Sequence, residues 1–290
     1  MYKIAILGCE NSHASIFLDI INGNEDFADV CVMGVYSEDK EAAERISAKY
    51  NVKLMEKPDE LVGKVDAVMV TARHGAKHFE LLKPYLPGGV VVFVDKPITI
   101  STIDAEMMAE SFEKYGNRFT GGSVMKYCDE IKQMKKNENG ADEENVIGGL
   151  VRAPIISNSE YGGIYFYAPH LIEMLCQVFG RFPKSVIGVR NEKCVTAIFR
   201  YNEYDVNAVF TEMNVSGNYY VLKMSKDDCF MKEVKIENKH FEEEFYTFYQ
   251  LLKNADKQEN IKDFFAPVYI LSALERTLSS GKEERIMWKM

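Results

Sequence analysis

The chain has 290 residues, with 35 lysines and arginines against 44 aspartates and glutamates, for a net charge of −9. That length suits two domains, each able to bury a core of its own. The acidic balance argues against a nucleic-acid or anionic-membrane partner, since either needs a basic face, and leaves a small molecule as the expected one.

In chain order, apolar runs of strand length at 2–7, 30–36, 65–71, 90–94 and 118–121 alternate with helix-like segments. Helical spacing covers Asp39 to Tyr50 and Thr102 to Tyr115, and Gly75 to Tyr85 reads as a further crossover helix stopped by prolines. This alternation predicts an α/β domain over 1–121, a doubly wound parallel sheet of the Rossmann type. A polar stretch from Lys132 to Asn145 reads as a helix end and loop.

Beyond it the pattern becomes β-rich, with strands expected over Ser185–Val189, Val195–Tyr201, Val206–Met213 and Tyr219–Met224. One helix, Pro169 to Phe179, precedes them, and two more follow, near Phe241 to Asn254 and Ala266 to Ser279. The prediction for 122–290 is an α+β domain with an open, mainly antiparallel sheet, one face covered by helices and the other left for substrate or a second copy of the chain. The six cysteines form no C-x-x-C pair and sit mostly in apolar runs, as buried thiols do in a reducing compartment. No run has transmembrane length, and Met1 leads directly into a strand without a leader pattern, so a cytoplasmic protein is expected.

Two strand ends carry the chemistry. The first strand runs into Gly8-Cys9-Glu10-Asn11-Ser12-His13, which keeps only the first glycine of a G-x-G-x-x-G phosphate loop. Asn11 or Ser12 can still cap the helix that follows, whose N-terminal amides attract phosphate. Glu10 stands awkwardly there, and His13 is open to a phosphate, a substrate or a packing role. At the end of the second strand, where an acid normally meets the ribose, the chain has Tyr36 and Ser37. NAD and NADP both fit, with NAD preferred because no arginine follows Ser37. The fourth strand delivers Asp95-Lys96-Pro97 at its carboxyl end, where open parallel sheets place their ligands.

These features, with Gly162-Gly163 followed by His170 at a helix start, make the chain resemble the glucose-fructose oxidoreductase, inositol dehydrogenase and MocA family along nearly its whole length. The matching parts are Val91 to Ile98, where that family has E-K-P, and Gly162 to Gly180. Thr71-Ala72-Arg73 followed by His78 is similar to its T-P-N strand end.

The resemblance implies an NAD(P)-dependent dehydrogenase acting on a sugar, polyol or related carbinol. In it Lys96 stabilises the developing alkoxide, Pro97 follows a cis peptide, and His170 is the general base. Gly8, Asn11, Ser12, His13, Tyr36, Ser37, Thr71, Asp95, Lys96 and Pro97 would contact the cofactor, and Lys126, Tyr165, Tyr167 and His170 the substrate. The family's acid four residues before the histidine is Phe166 here, which leaves two other readings open: a ligand sensor that has lost redox chemistry, and an eliminase using transient hydride transfer. A homodimer or homotetramer is expected by analogy. His74 with His78, or His170 with Glu173, has helical spacing suited to a metal, but neither pair has a third ligand in sequence, so no metal is expected.

Overall fold

The computed structural model describes residues 1–135, 146–254 and 258–289. The chain divides into two compact units, Met1–Gly122 with Phe241–Phe264, and Ser123–His240 with Phe265–Met290.

The first unit opens with β1 (Tyr2–Leu7), α1 (Ser12–Gly23), β2 (Val30–Tyr36), α2 (Lys40–Tyr50), β3 (Ala67–Val70), α3 (His78–Leu82), β4 (Val91–Asp95), α4 (Thr102–Tyr115) and β5 (Phe119–Gly122). The five strands are parallel in the order β2-β1-β3-β4-β5. A parallel sheet covered on both faces reads as continuous apolar sequence, and β4 is buried at every position. Helix α1 turns Ala14, Phe17, Leu18, Ile20 and Ile21 inward at the 3–4 residue spacing of one helical face. The crossover at 75–85 is less regular than its sequence indicates: a 3₁₀ turn at Gly75–Lys77, the five residues of α3, and a second 3₁₀ turn at Leu86–Gly88. Pro84 and Pro87 lack the N–H groups that a longer helix needs.

The second unit contains α5 (Asp129–Met134), β6 (Val146–Ile155), α6 (Ala168–Phe179), β7 (Ser185–Arg190), β8 (Cys194–Arg200), β9 (Asp205–Glu212), β10 (Tyr219–Ser225) and β11 (Cys229–Val234). After α7 (Asn238–Leu252), the chain ends in α8 (Ile261–Ser280) and β12 (Glu284–Arg285). The sheet order is β11-β10-β6-β9-β8-β7-β12, antiparallel except for the central β6–β9 pair, which is parallel. The sheet is therefore mixed.

Strand β6, the longest, escapes sequence reading because Gly148, Gly149 and Pro154 interrupt its β character. Its glycines have a use: a Cβ on Gly149 would lie 2.3 Å from the Phe179 ring, so only glycine lets α6 pack this close. Strand β11 is exposed along most of its length and carries Lys232 and Glu233, as edge strands do. Of the polar stretch 132–145, only residues up to 135 are described, and the rest lies outside the described residues.

The helix near Phe241, read from sequence as part of the second domain, lies from Phe241 onward in the first unit. The reason is aromatic packing. Phe245 meets Phe27 at 4.8 Å and Phe17 at 6.1 Å between ring centroids, and Phe248 meets Phe93 of β4 at 5.9 Å. The Tyr249 hydroxyl donates to Asp29 Oδ1 at 2.8 Å. Phe245 is fully buried, so Phe245→Ala should lower unfolding free energy by about 3–5 kcal/mol, the cost of emptying an aromatic site; a urea denaturation curve with an unchanged midpoint would remove α7 from this core.

Candidate functional site

The carboxyl ends of β1, β2, β3 and β4 bring the first unit's polar residues together. Gly8, just past β1, has φ of +83°, and a Cβ there would stand 2.3 Å from the backbone of Ala72, so the turn requires glycine. The Thr71 hydroxyl donates to Gly8 O at 3.0 Å and is fully buried, a tie between the β1 and β3 ends. Asn11 is the N-cap of α1, its Oδ1 facing the His13 N–H at 3.5 Å. The Ser12 hydroxyl points to the same oxygen at 3.4 Å.

Asp95 ends β4 and is 1% exposed. Its Oδ2 accepts from the His13 imidazole at 2.7 Å and from Asn11 Nδ2 at 3.2 Å, and its Oδ1 accepts the Lys96 backbone N–H at 2.7 Å. Burial acts to raise its pKa, but the charge and hydrogen bond of His13, then Lys96, outweigh burial and hold the carboxyl below the usual aspartate value. His13 is thereby fixed, with Phe241 against its ring at 5.1 Å.

Lys96 is 5% exposed, and its peptide to Pro97 is cis. Burial lowers its pKa, the Asp95 charge opposes that shift, and Arg73 adds to it. A lysine in this state exchanges its proton more readily near neutrality than an exposed one.

Sequence reading did not single out Arg73 or give Glu10 a task. Glu10 Oε2 accepts the Ser37 hydroxyl at 2.6 Å and Oε1 accepts the Arg73 backbone N–H at 2.9 Å. Tyr36, the last residue of β2, is half-buried, with its pKa raised by burial first and by Glu38 next. Cys9 is buried and its thiol is pushed up to about 12, chiefly by burial and then by Glu10, which makes it a poor nucleophile.

His78 lies wholly buried with Nε2 2.7 Å from Ala72 O and Nδ1 3.2 Å from Ile98 O, so it ties loops together. His74 Nδ1 accepts from Ala76 N. The pair therefore does not present two imidazole lone pairs to one ion. Among the described residues, no group of three or more His, Cys, Asp or Glu side chains is placed to hold a metal.

In the second unit, His170 sits in the first turn of α6, 5% exposed, with Nδ1 2.8 Å from Ser123 Oγ. Tyr167 and Tyr219 present ring edges to it at 5.7 and 6.0 Å. Ser123 and Tyr219 are additions to the sequence reading; a serine at a 3₁₀ N-cap and a tyrosine in a strand give no pattern that would reveal them. Phe166 packs between Tyr161 at 5.1 Å and Tyr167 at 5.3 Å.

The Tyr165 hydroxyl is turned to Glu275 Oε2 at 2.9 Å, and Lys126 lies over the Tyr127 ring at 5.5 Å. Glu173 takes the Gln177 amide at 2.7 Å and lies 3.5 Å from Arg181, two residues beyond α6, so both groups it meets come from the helix or its C-terminal end.

Residues 2–123 match the model of an oxidoreductase family described as having an NAD-binding Rossmann fold. Over those residues the chain is similar to the Gfo/Idh/MocA family. Three solved structures extend the likeness of fold to the whole chain. Myo-inositol 2-dehydrogenase from Lactobacillus plantarum is 14% identical with a TM-score of 0.84, covering 99% of each chain. Scyllo-inositol dehydrogenase from Lactobacillus casei, with NAD(H) and scyllo-inositol bound, is 13% identical with a TM-score of 0.83, again covering 99% of each. GenD2 from gentamicin A biosynthesis, in complex with NAD, is 13% identical with a TM-score of 0.85, covering 99% of this chain and 96% of that one. No curated protein matches the sequence. Among the described residues, no helix is long and apolar enough to cross a membrane.

A buried lysine with a depressed pKa weakens the fold. The cost of its burial is present below its folded pKa and disappears as pH rises through that value toward the ordinary lysine value. Lys96→Met should therefore melt at or above the wild-type temperature at pH 7, with the gap narrowing as pH rises. A variant that melts lower at pH 7 would mean that the ammonium is a net structural asset.

Proposed function

We propose that this protein is an NAD(P)-dependent dehydrogenase that moves hydride between the nicotinamide and a carbinol carbon of a sugar, polyol or similar small molecule. The observation that carries the reading is the buried Lys96 at the carboxyl end of β4, next to a carboxylate already fixed by His13. Rigid charged groups at that end of a parallel sheet are where such folds build sites, and the family match adds the chemistry class.

The first unit's residues fit a dinucleotide. The Gly8 turn brings backbone close, Asn11 caps a 12-residue helix whose N-terminus favours phosphate, and polar side chains gather at four strand ends. Gly8, Asn11, Ser12, Tyr36, Ser37, Thr71 and Asp95 are assigned to holding it, with Thr71 acting through the Gly8 carbonyl.

When bound, the nicotinamide accepts or supplies a hydride at C4. Lys96 donates a hydrogen bond to the carbinol oxygen and stabilises negative charge there as the C–H electron pair leaves. His170 takes the hydroxyl proton. In the tautomer whose Nδ1–H donates to Ser123 Oγ, Nε2 carries the lone pair that a base needs. Lys126 and Tyr167 are assigned to substrate hydroxyls. Tyr165 is assigned a supporting role, because its hydroxyl is directed at Glu275.

A second reading rests on Phe166, which stands where the resemblance would place an acid: a sensor that binds ligand without net redox.

The test is a screen of polyols and sugars with NAD and NADP, followed by nicotinamide absorbance, on wild-type protein and Lys96→Met. The expected result is turnover of a polyhydroxylated substrate that the variant loses by at least about a thousandfold, the scale of removing a central oxyanion donor, while NADH still binds. Retained turnover would take Lys96 out of the mechanism, and ligand binding without absorbance change would favour the sensor.

A further inference from the structure

The first unit places a carboxylate where the second glycine of a dinucleotide loop would stand, and that carboxylate is held in a defined orientation. Glu10 accepts the Ser37 hydroxyl with Oε2 at 2.6 Å and the Arg73 N–H with Oε1 at 2.9 Å. Ser37 Oγ in turn accepts the Asp39 N–H at 3.0 Å, so its own proton is committed to Glu10. The side chain thus links the carboxyl ends of β2 and β3, which flank β1 in the sheet. A carboxylate offers about four acceptor positions; two are taken by neutral donors, and two remain.

The acids that follow β2 in sequence are otherwise engaged. Glu38 lies 3.2 Å from Lys77 Nζ, and Asp39 Oδ1 caps α2 through the Ala42 N–H at 3.0 Å. A dinucleotide fold that reads a ribose needs a carboxylate near the end of its second strand, and Glu10 is the one held against Ser37 there.

We propose that Glu10, oriented by Ser37 and the Arg73 backbone, is the group that reads the adenosine ribose, accepting its vicinal hydroxyls and repelling a 2′-phosphate, so that the protein takes NAD(H) and rejects NADP(H). This rests on the dinucleotide reading above. It assigns to one residue both the lost glycine and the missing strand-end acid.

Calorimetric titration of wild type, Glu10→Gln and Ser37→Ala with NADH and with NADPH tests it, with a thermal melt of each variant to verify the fold. Wild type should bind NADH at least about a hundredfold tighter than NADPH, since a like charge against the phosphate costs several kcal/mol. Glu10→Gln keeps the size and one acceptor but removes the charge. It should weaken NADH by about tenfold, the scale of a charge-assisted hydrogen bond, and bring the two cofactors within about tenfold of each other. Ser37→Ala, which only frees the carboxylate to move, should reduce the preference by a smaller factor and serves if the first variant does not fold. An NADH-to-NADPH ratio that both variants leave unchanged, or a wild type preferring NADPH, would overturn the assignment of Glu10 while leaving the dinucleotide reading intact. A wild type that binds neither would overturn the dinucleotide reading and this inference with it.

Discussion

The Asp95 carboxylate is the interaction on which the first unit's candidate site depends. A buried carboxylate is costly unless it is paired and hydrogen-bonded, and here His13, Asn11 and the Lys96 backbone supply three donors from two segments far apart in sequence. One group thereby fixes the start of α1, the imidazole beside it and the first residue beyond β4. The same charge moderates the penalty of burying the Lys96 ammonium, whose pKa is lowered by burial despite it. Ion pairs of this kind are weak evidence for stability; the value of the His13–Asp95 pair is geometric, because it fixes the start of α1 against the end of β4.

A comparable economy governs the rest of that sheet end. The glycine loop has lost two glycines, yet the remaining one does what only glycine can, turning at positive φ against the Ala72 backbone. The polar side chains that replace the others are bound to neighbouring strand ends rather than left in solvent: Glu10 to Ser37 and Arg73, His13 to Asp95. In the second unit, His170 lies beside the Ser123 hydroxyl and the ring edges of Tyr167 and Tyr219.

Much of the fold was legible in sequence because it depends on short-range pattern. Fully buried parallel strands such as β4 announce themselves as apolar runs, and α1, α2 and α4 by their spacing and caps. What escaped has physical reasons. Strand β6 carries two glycines and a proline, and one of the glycines, Gly149, gives Phe179 of α6 the room to pack. Helix α7 contributes Phe245 and Phe248 to the first unit's core through contacts more than 150 residues distant in sequence, which no local pattern encodes. In the site, Lys96 stood out by its place at a strand end, whereas the partners of Asp95, His170 and Glu10 are set by tertiary geometry. Glu10 read as an obstacle in sequence, and it emerged as a bridging group only once Ser37 and Arg73 were seen on either side of it.

The central claim is that the strand ends of the first unit hold a dinucleotide. Hydrogen–deuterium exchange with and without saturating NADH addresses it most directly. The account predicts added protection at residues 8–13, 36–39, 71–73 and 95–97, the four segments joined by these side-chain bonds. Binding that leaves those four segments unprotected, or no binding at all, would contradict it.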